Sequence, residues 1–441
     1  MKRVGFMMLT LLIIFSACKS NDVPAPSIVL SNTTVSTNSM AASASITATG
    51  NYDWKLSSDQ SWCTTNITTG TSGKETTITL TVAANTTTST RTANLIFTVE
   101  GQTVATAAVT QAAEETYELP VIFHVLYKDQ SDSLQYVKQS RLAEIISGVN
   151  KLYSNNNMNL KFVLATTNPS GSVLSEAGID RQKISNSTLD CDKFMNGELA
   201  DNSKYVGMLW DLNNYINIYL YPFATDSSGY TTLGITYLPL VSNYKKLSGL
   251  GVGNYYQTHS WDFPQCSSIN SLYIYESSTA TTYNSADATV TIAHELGHYL
   301  GLFHAFSSNE CSDTDYCDDT PNYDRANYET WLTAYLKAHP KDYTFSQLTS
   351  RTSCSGSTFT AHNIMDYEFC YNDEFTTNQR ERVRWVLNYA LFIPGTKYLS
   401  TSAALSKADA EASNTRPTGM TKTTTVNNEI LKFTNKNKIK K

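Results

Sequence analysis

The run His294-Glu295-Leu296-Gly297-His298-Tyr299-Leu300-Gly301-Leu302-Phe303-His304 constrains this 441-residue chain more than any other stretch. Ser285-Ala286-Asp287 can cap a helix running from Ala288 to about Leu300. Within it Ile292, Leu296 and Leu300 recur every fourth residue and would face a core. His294 and His298 share a different face one turn apart, so both imidazoles can reach one metal ion. Glu295 stands beside them, placed to hold a water rather than to bind the metal. A catalytic zinc site takes three protein ligands and keeps one position open, and His304 is the candidate third. A straight helix would carry His304 about 9 Å beyond His298 along its axis, out of reach. The chain therefore has to turn back after Leu300, and Gly301 stands where that turn is needed, free of a Cβ clash in a left-handed conformation.

The length exceeds one ordinary core and implies two or more domains. A net charge of −6 without a basic stripe excludes nucleic acid as a partner. Lys2 and Arg3 precede the apolar run Val4–Phe15, which is too short to span a bilayer and fits a signal peptide over residues 1–17. Ser16-Ala17-Cys18 resembles the lipobox of bacterial lipoproteins, in which the Cys is acylated and becomes the mature N-terminus. That implies attachment to a membrane through Cys18. Lys19 in the next position resembles the outer-membrane pattern, with the protein facing the periplasm or the cell surface. Export brings an oxidising compartment. Of the remaining cysteines, Cys311, Cys317, Cys354 and Cys370 are expected to pair among themselves around the site, leaving Cys63 isolated in sequence.

Residues 18–26 read as a tether containing Pro24 and Pro26. From 27 to 113 the pattern changes: Thr76–Val82, Ala93–Val99 and Val104–Val109 alternate polar and apolar residues, with Gly70, Gly73, Asn85 and Gly101 between them. Such spacing predicts a small all-β sandwich. This stretch resembles the BACON domains that precede enzyme modules in gut Bacteroidetes. The matching features are Trp54, Ser61-Trp62, the Gly70–Gly73 turn, Val82-Ala83-Ala84-Asn85-Thr86 and the closing Val109-Thr110-Gln111. Cys63 stands where the family has an apolar residue. The resemblance implies a spacer first and contact with glycans or mucin second, because Trp54 and Trp62 read as core.

A second domain, 117–395, opens with the apolar strand Leu119–Leu126 and a helical pattern carrying Leu142, Ile145, Ile146, Val149 and Leu152 on one face. Leu160–Leu164, Tyr215–Tyr221 and Leu272–Tyr275 read as strands, so an α/β arrangement is expected. Residues 396–441 read as a polar tail.

The histidine string resembles the long zinc signature of the metzincin peptidases. That clan places a Met in a tight turn beneath the metal, and Asn363-Ile364-Met365-Asp366-Tyr367 matches it. Within the clan the chain is similar to the pappalysin, or cytophagalysin, family. The similarity runs through Val121-Ile122-Phe123-His124-Val125-Leu126-Tyr127, Trp210-Asp211, Tyr215–Tyr219, His304-Ala305-Phe306 and Asp319-Thr320-Pro321. Ala305 replaces the Thr common in the family. With the lipobox and the BACON-like module, the combination resembles zinc metalloproteinase lipoproteins of Bacteroides.

These resemblances imply a metzincin-like zinc endopeptidase acting on extracellular or host proteins and peptides. Zn²⁺ would sit on His294, His298 and His304, with Glu295 as general base, Met365 in the Met-turn and Tyr367 able to assist the oxyanion. They further imply that Leu272–Tyr275 is the edge strand to which an extended substrate adds. For the acidic loop Asp313, Asp315, Asp318 and Asp319, either bound Ca²⁺ or a solvated, disulfide-tied loop is expected.

Overall fold

The structure is a computed structural model that describes residues 24–225, 227–243, 245–253, 263–395 and 420–441. The expected signal peptide and Cys18 lie outside the described residues. The chain divides into two compact units between Glu115 and Thr116.

The first unit is built from β-strands. Ile28–Leu30, Ala42–Gly50, Thr76–Val82 and Cys63–Thr65 form one sheet, in that order. Thr34–Thr37, Gln102–Gln111, Arg91–Val99, Trp54–Ser58 and Thr69–Gly70 form another. Alternation with period two sends Ile46, Ile78 and Leu80 of the first sheet and Leu56, Phe97 and Val109 of the second into one shared core. Trp54 is buried there. Gly70 is obligatory beneath it, since a Cβ at that position would meet the indole at 2.1 Å. Cys63 is buried in the same core. The Trp62 ring is covered by the Arg91 guanidinium, 4.3 Å above its centroid.

The second unit is organised by a seven-stranded sheet. Leu160–Leu164, Tyr117–Tyr127, Ile216–Tyr221 and Ser267–Asn270 run parallel, and Ile179–Lys183 also pairs in parallel with Tyr117–Tyr127. Tyr230–Tyr237 then pairs antiparallel with Ser267–Asn270, and Thr421–Asn427 pairs antiparallel with Tyr230–Tyr237. The continuous apolar run of Tyr117–Tyr127 suits a strand covered on both faces, and Val121 to Leu126 are all buried. Helix Gln139–Asn155 packs on helix Ala288–Tyr299. Gly148 lies so close that a Cβ there would meet Thr289 Cγ2 at 2.7 Å, and the Tyr153 hydroxyl donates to the Ala293 carbonyl at 3.0 Å. His124, fully buried, is held between Asp180 (2.8 Å) and Asn217 (2.9 Å), which gives it a structural place within the sheet.

Three expectations need correction. Leu272–Tyr275 is not a strand. The strand ends at Asn270, whose side chain accepts from the Leu272 N–H and starts a 3₁₀ turn over Ser271–Tyr273. The antiparallel strand beside the site is instead Tyr230–Tyr237. Of the polar tail expected over 396–441, residues 396–419 lie outside the described residues, and the remainder is a strand followed by a helix. Thr421, Thr423, Thr424, Thr425 and Val426 are β-branched and suit a strand. Helix Asn428–Asn437, capped by Asn427, then buries Ile430 and Leu431. The last correction concerns the cysteines. Cys311 and Cys354 form a disulfide with Cα atoms 5.8 Å apart, whereas Cys317 and Cys370 are buried free thiols. Burial pushes the Cys317 thiol up to about 12, so it stays protonated.

Candidate active site

Asp287 caps helix Ala288–Tyr299, its carboxylate accepting from the N–H groups of Thr289 (2.8 Å) and Val290 (3.2 Å). The helix closes at Leu300. Gly301, at φ +89°, then reverses the chain, and the Leu302 N–H returns to the Gly297 carbonyl at 2.9 Å. This reversal brings His304 back to the helical pair. The Nε2 atoms of His294 and His298 lie 3.0 Å apart, as do those of His298 and His304.

The other ring nitrogens set the tautomers. Nδ1 of His294 is 2.8 Å from the Ile364 carbonyl and Nδ1 of His298 is 2.8 Å from the Leu302 carbonyl. A carbonyl can only accept, so Nδ1 carries the proton in both rings and each Nε2 presents a lone pair inward. Burial pushes the His294 imidazole down to about 4, and burial together with the neighbouring imidazoles holds His298 and His304 well below their ordinary value. Neutral rings with lone pairs converging at hydrogen-bond distance repel one another unless a cation lies between them. A nitrogen-only set of three neutral imidazoles fits Zn²⁺ with a position left open. Among the described residues it is the group of three or more potential ligands that converges on one point.

The remaining predicted residues surround this trio. Met365 is fully buried below the helix. A Cβ on Gly297 would meet its sulfur at 2.5 Å, so Gly297 makes room for it. The Asn363 side chain accepts from the Met365 N–H and its carbonyl from the Asp366 N–H, forming the tight turn that also supplies the Ile364 carbonyl to His294. The Tyr367 hydroxyl lies 2.9 Å from Nε2 of His304, with the Arg325 guanidinium 4.6 Å from its ring centroid. Glu295 is fully buried, and burial raises its carboxyl to about 8, against the opposing pull of two hydroxyl donors, Thr236 and Thr424.

Those two threonines, together with Gly234 and Arg325, went unnoticed in the sequence. Gly234 had a signal: a lone glycine among β-branched strand residues marks a close approach. A Cβ there would meet Glu295 Oε1 at 2.5 Å. Thr236 and Thr424 carry no comparable mark. In the acidic loop the carboxylates do not converge on a point. Asp313 accepts from the Ser308 N–H, Asp315 from the Cys317 N–H and Asp319 from the Asn378 N–H, so three of the four expected calcium ligands serve as backbone caps.

Comparison with known proteins places both units among described families and relatives. Residues 191–388 match the Peptidase_M43 family model, described as pregnancy-associated plasma protein-A. Residues 52–112 match the BACON model, an N-terminal binding domain. An extracellular metalloprotease of Sordaria macrospora is 25% identical over 294 residues, covering 66% of this chain and 81% of that protein. One from Arthroderma benhamiae is 35% identical over 107 residues, 23% of this chain and 32% of that one. Among solved structures, a Bacteroides ovatus GH5 xyloglucanase complexed with a XXXG heptasaccharide aligns at a TM-score of 0.19 with 16% identity, over 46% of this chain and 39% of that one, too slight a likeness to carry weight. The chain is a metalloprotease. Over residues 191–388 its second unit is similar to the M43, or pappalysin, family of metzincins, and residues 52–112 are similar to a BACON module.

Proposed function

We propose that this metalloprotease is an exported zinc endopeptidase that cleaves extracellular proteins within a metzincin-like α/β domain over residues 117–395. The observation that carries the reading is the convergence of three neutral Nε2 atoms beside a buried carboxylate. His294, His298 and His304 would hold zinc there, and the ion would supply Lewis acidity for a peptide carbonyl and a more acidic water. Glu295, one residue along the helix from His294, takes a proton from the attacking water and hands it to the departing amine. The Thr236 hydroxyl, donating to its carboxylate, fixes the direction from which that proton arrives. Tyr367, next to His304, donates a hydrogen bond to the carbonyl oxygen as negative charge gathers on it. Gly234 lets the strand Tyr230–Tyr237 pass close against Glu295, so a peptide added to that strand lies over the base.

The test is metal content beside proteolysis. Purified residues 24–441 are expected to hold about one zinc per chain. Casein cleavage should stop on chelation and return with zinc. A chain that binds no zinc would sink the reading.

Upstream, the reading extends to a signal peptide over 1–17, a tether over 18–26 and a sandwich module over 27–113 that acts as a spacer. Lipid on Cys18 would hold the enzyme at the outer membrane, on its periplasmic or outer side; the motif Ser16-Ala17-Cys18 motivates this. In a Gram-negative host the wild type should sediment with membranes and carry an acyl mass on Cys18, whereas Cys18→Ala should lose both. An unmodified Cys18 on the mature protein would rule the anchor out.

A further inference from the structure

The strand Thr421–Asn427 lies where a substrate would have to lie. It pairs antiparallel along Tyr230–Tyr237 from Tyr237 opposite Thr421 to Tyr230 opposite Asn427, with an irregularity between Thr232 and Gly234, the point at which Glu295 approaches. Its contacts with the site are those of a peptide across the reacting centre. The Thr423 carbonyl oxygen accepts from the Tyr367 hydroxyl, and the Thr424 hydroxyl donates to Glu295. The peptide bond between Thr423 and Thr424 is thus bracketed by the two groups that a scissile bond needs on either side. Each Glu295 oxygen already accepts a hydroxyl, one from Thr236 and one from Thr424, so the place from which the base would take a water proton is filled by Thr424.

The segment is also fastened. Val426 packs with Leu233, Ala286 and Leu431 in a small apolar cluster. Thr231 donates to the Asn428 side chain at 2.6 Å, and the Ile439 carbonyl accepts from the Tyr283 N–H at 2.8 Å.

We propose that the C-terminal strand Thr421–Asn427 is a built-in inhibitor that fills the substrate groove along Tyr230–Tyr237 as an extended peptide would, and that it must leave before another polypeptide can enter. This rests on the peptidase reading of the same site. It also places the cleaved bond of a substrate at the position of Thr423–Thr424.

The test compares the intact chain with a full-length variant carrying Thr425→Pro and Val426→Asp. Proline cannot donate to the ladder, and an unpaired carboxylate is expelled from the apolar cluster. A second variant ends at Pro394. Two readouts are taken on zinc-loaded protein: cleavage of an internally quenched peptide, and fluorescence anisotropy of a labelled peptide of sequence Met420–Asn428. An inhibitor strand docked more than about nine-tenths of the time leaves less than about one-tenth of molecules open, so the rate at low substrate and the peptide affinity should both rise at least about tenfold on release. The unlabelled peptide should then inhibit the released enzyme competitively. Equal peptide binding by intact and released chains would overturn the inhibitor, whatever their rates. Binding confined to the released chains with no cleavage by any of them would instead overturn the peptidase reading and leave the occupied groove standing.

Discussion

Glu295→Gln is expected to retain about one zinc per chain and to lose cleavage by about 10²–10⁴-fold, the usual contribution of a positioned proton-transfer group. That corresponds to about 3–5 kcal/mol of barrier. The amide keeps the size of the side chain and an oxygen for one threonine hydroxyl, so the groove should stay intact. What disappears is the ability to take a proton from water. The comparison belongs in whichever background, intact or strand-released, cleaves faster. Stability should move the other way. Burial raises the Glu295 carboxyl to about 8, so between the ordinary carboxylate range and that value the metal-free fold holds a proton that the unfolded chain has released. Stability from this group is therefore present at low pH and lost as pH rises through about 8. The amide does not titrate, so metal-free Glu295→Gln should melt no lower than wild type at alkaline pH. A variant keeping more than a tenth of the activity would remove Glu295 from the role of base, and one that loses zinc would show that it acts through the metal site.

Much of this site was legible because the chemistry is local in sequence. The three converging histidines, the proposed base Glu295 and the turning glycine fall within eleven residues, and helical geometry alone requires a reversal near Gly301 if His304 is to join the helical pair. The strands Leu160–Leu164 and Thr76–Val82 were readable from pattern, since period-two alternation and short apolar runs need no distant partner. The rim of the groove was not. Leu272–Tyr275 carries apolar residues that suit a strand, yet the side chain of Asn270 turns the chain locally and outweighs propensity. Tyr230–Tyr237 and Thr421–Asn427 lie nearly two hundred residues apart and recognise each other only by pairing, which period and composition do not encode. The threonine-rich end looked unable to bury a core because its apolar content is low. Its stability comes from β-branched residues joining an existing sheet and from two or three apolar anchors in the helix that follows.

Gly301→Val should weaken zinc binding by about tenfold to a hundredfold while leaving the helix content unchanged. Gly301 sits at φ +89°, a region that costs a β-branched residue about 1–3 kcal/mol. A Cβ there would also meet Val386 Cγ2 at 2.7 Å. Helix Ala288–Tyr299 would keep its Asp287 cap and its buried face, and His294 and His298 would remain one turn apart. The strain would be relieved by opening the turn, which moves His304 away from the pair. Zinc would have to pull it back against that strain, and at about 1.4 kcal/mol per decade the cost appears directly in the dissociation constant. Gly301→Asn separates the two causes: it meets the same Val386 contact but tolerates positive φ better, so its affinity should fall between wild type and Val. The measurement is competitive titration against a chromophoric zinc chelator, with far-ultraviolet circular dichroism as the control for folding. Equal affinity in glycine and valine proteins would mean that His304 reaches the metal without this turn, and the geometry that joins the helix to its third ligand would have to be sought elsewhere.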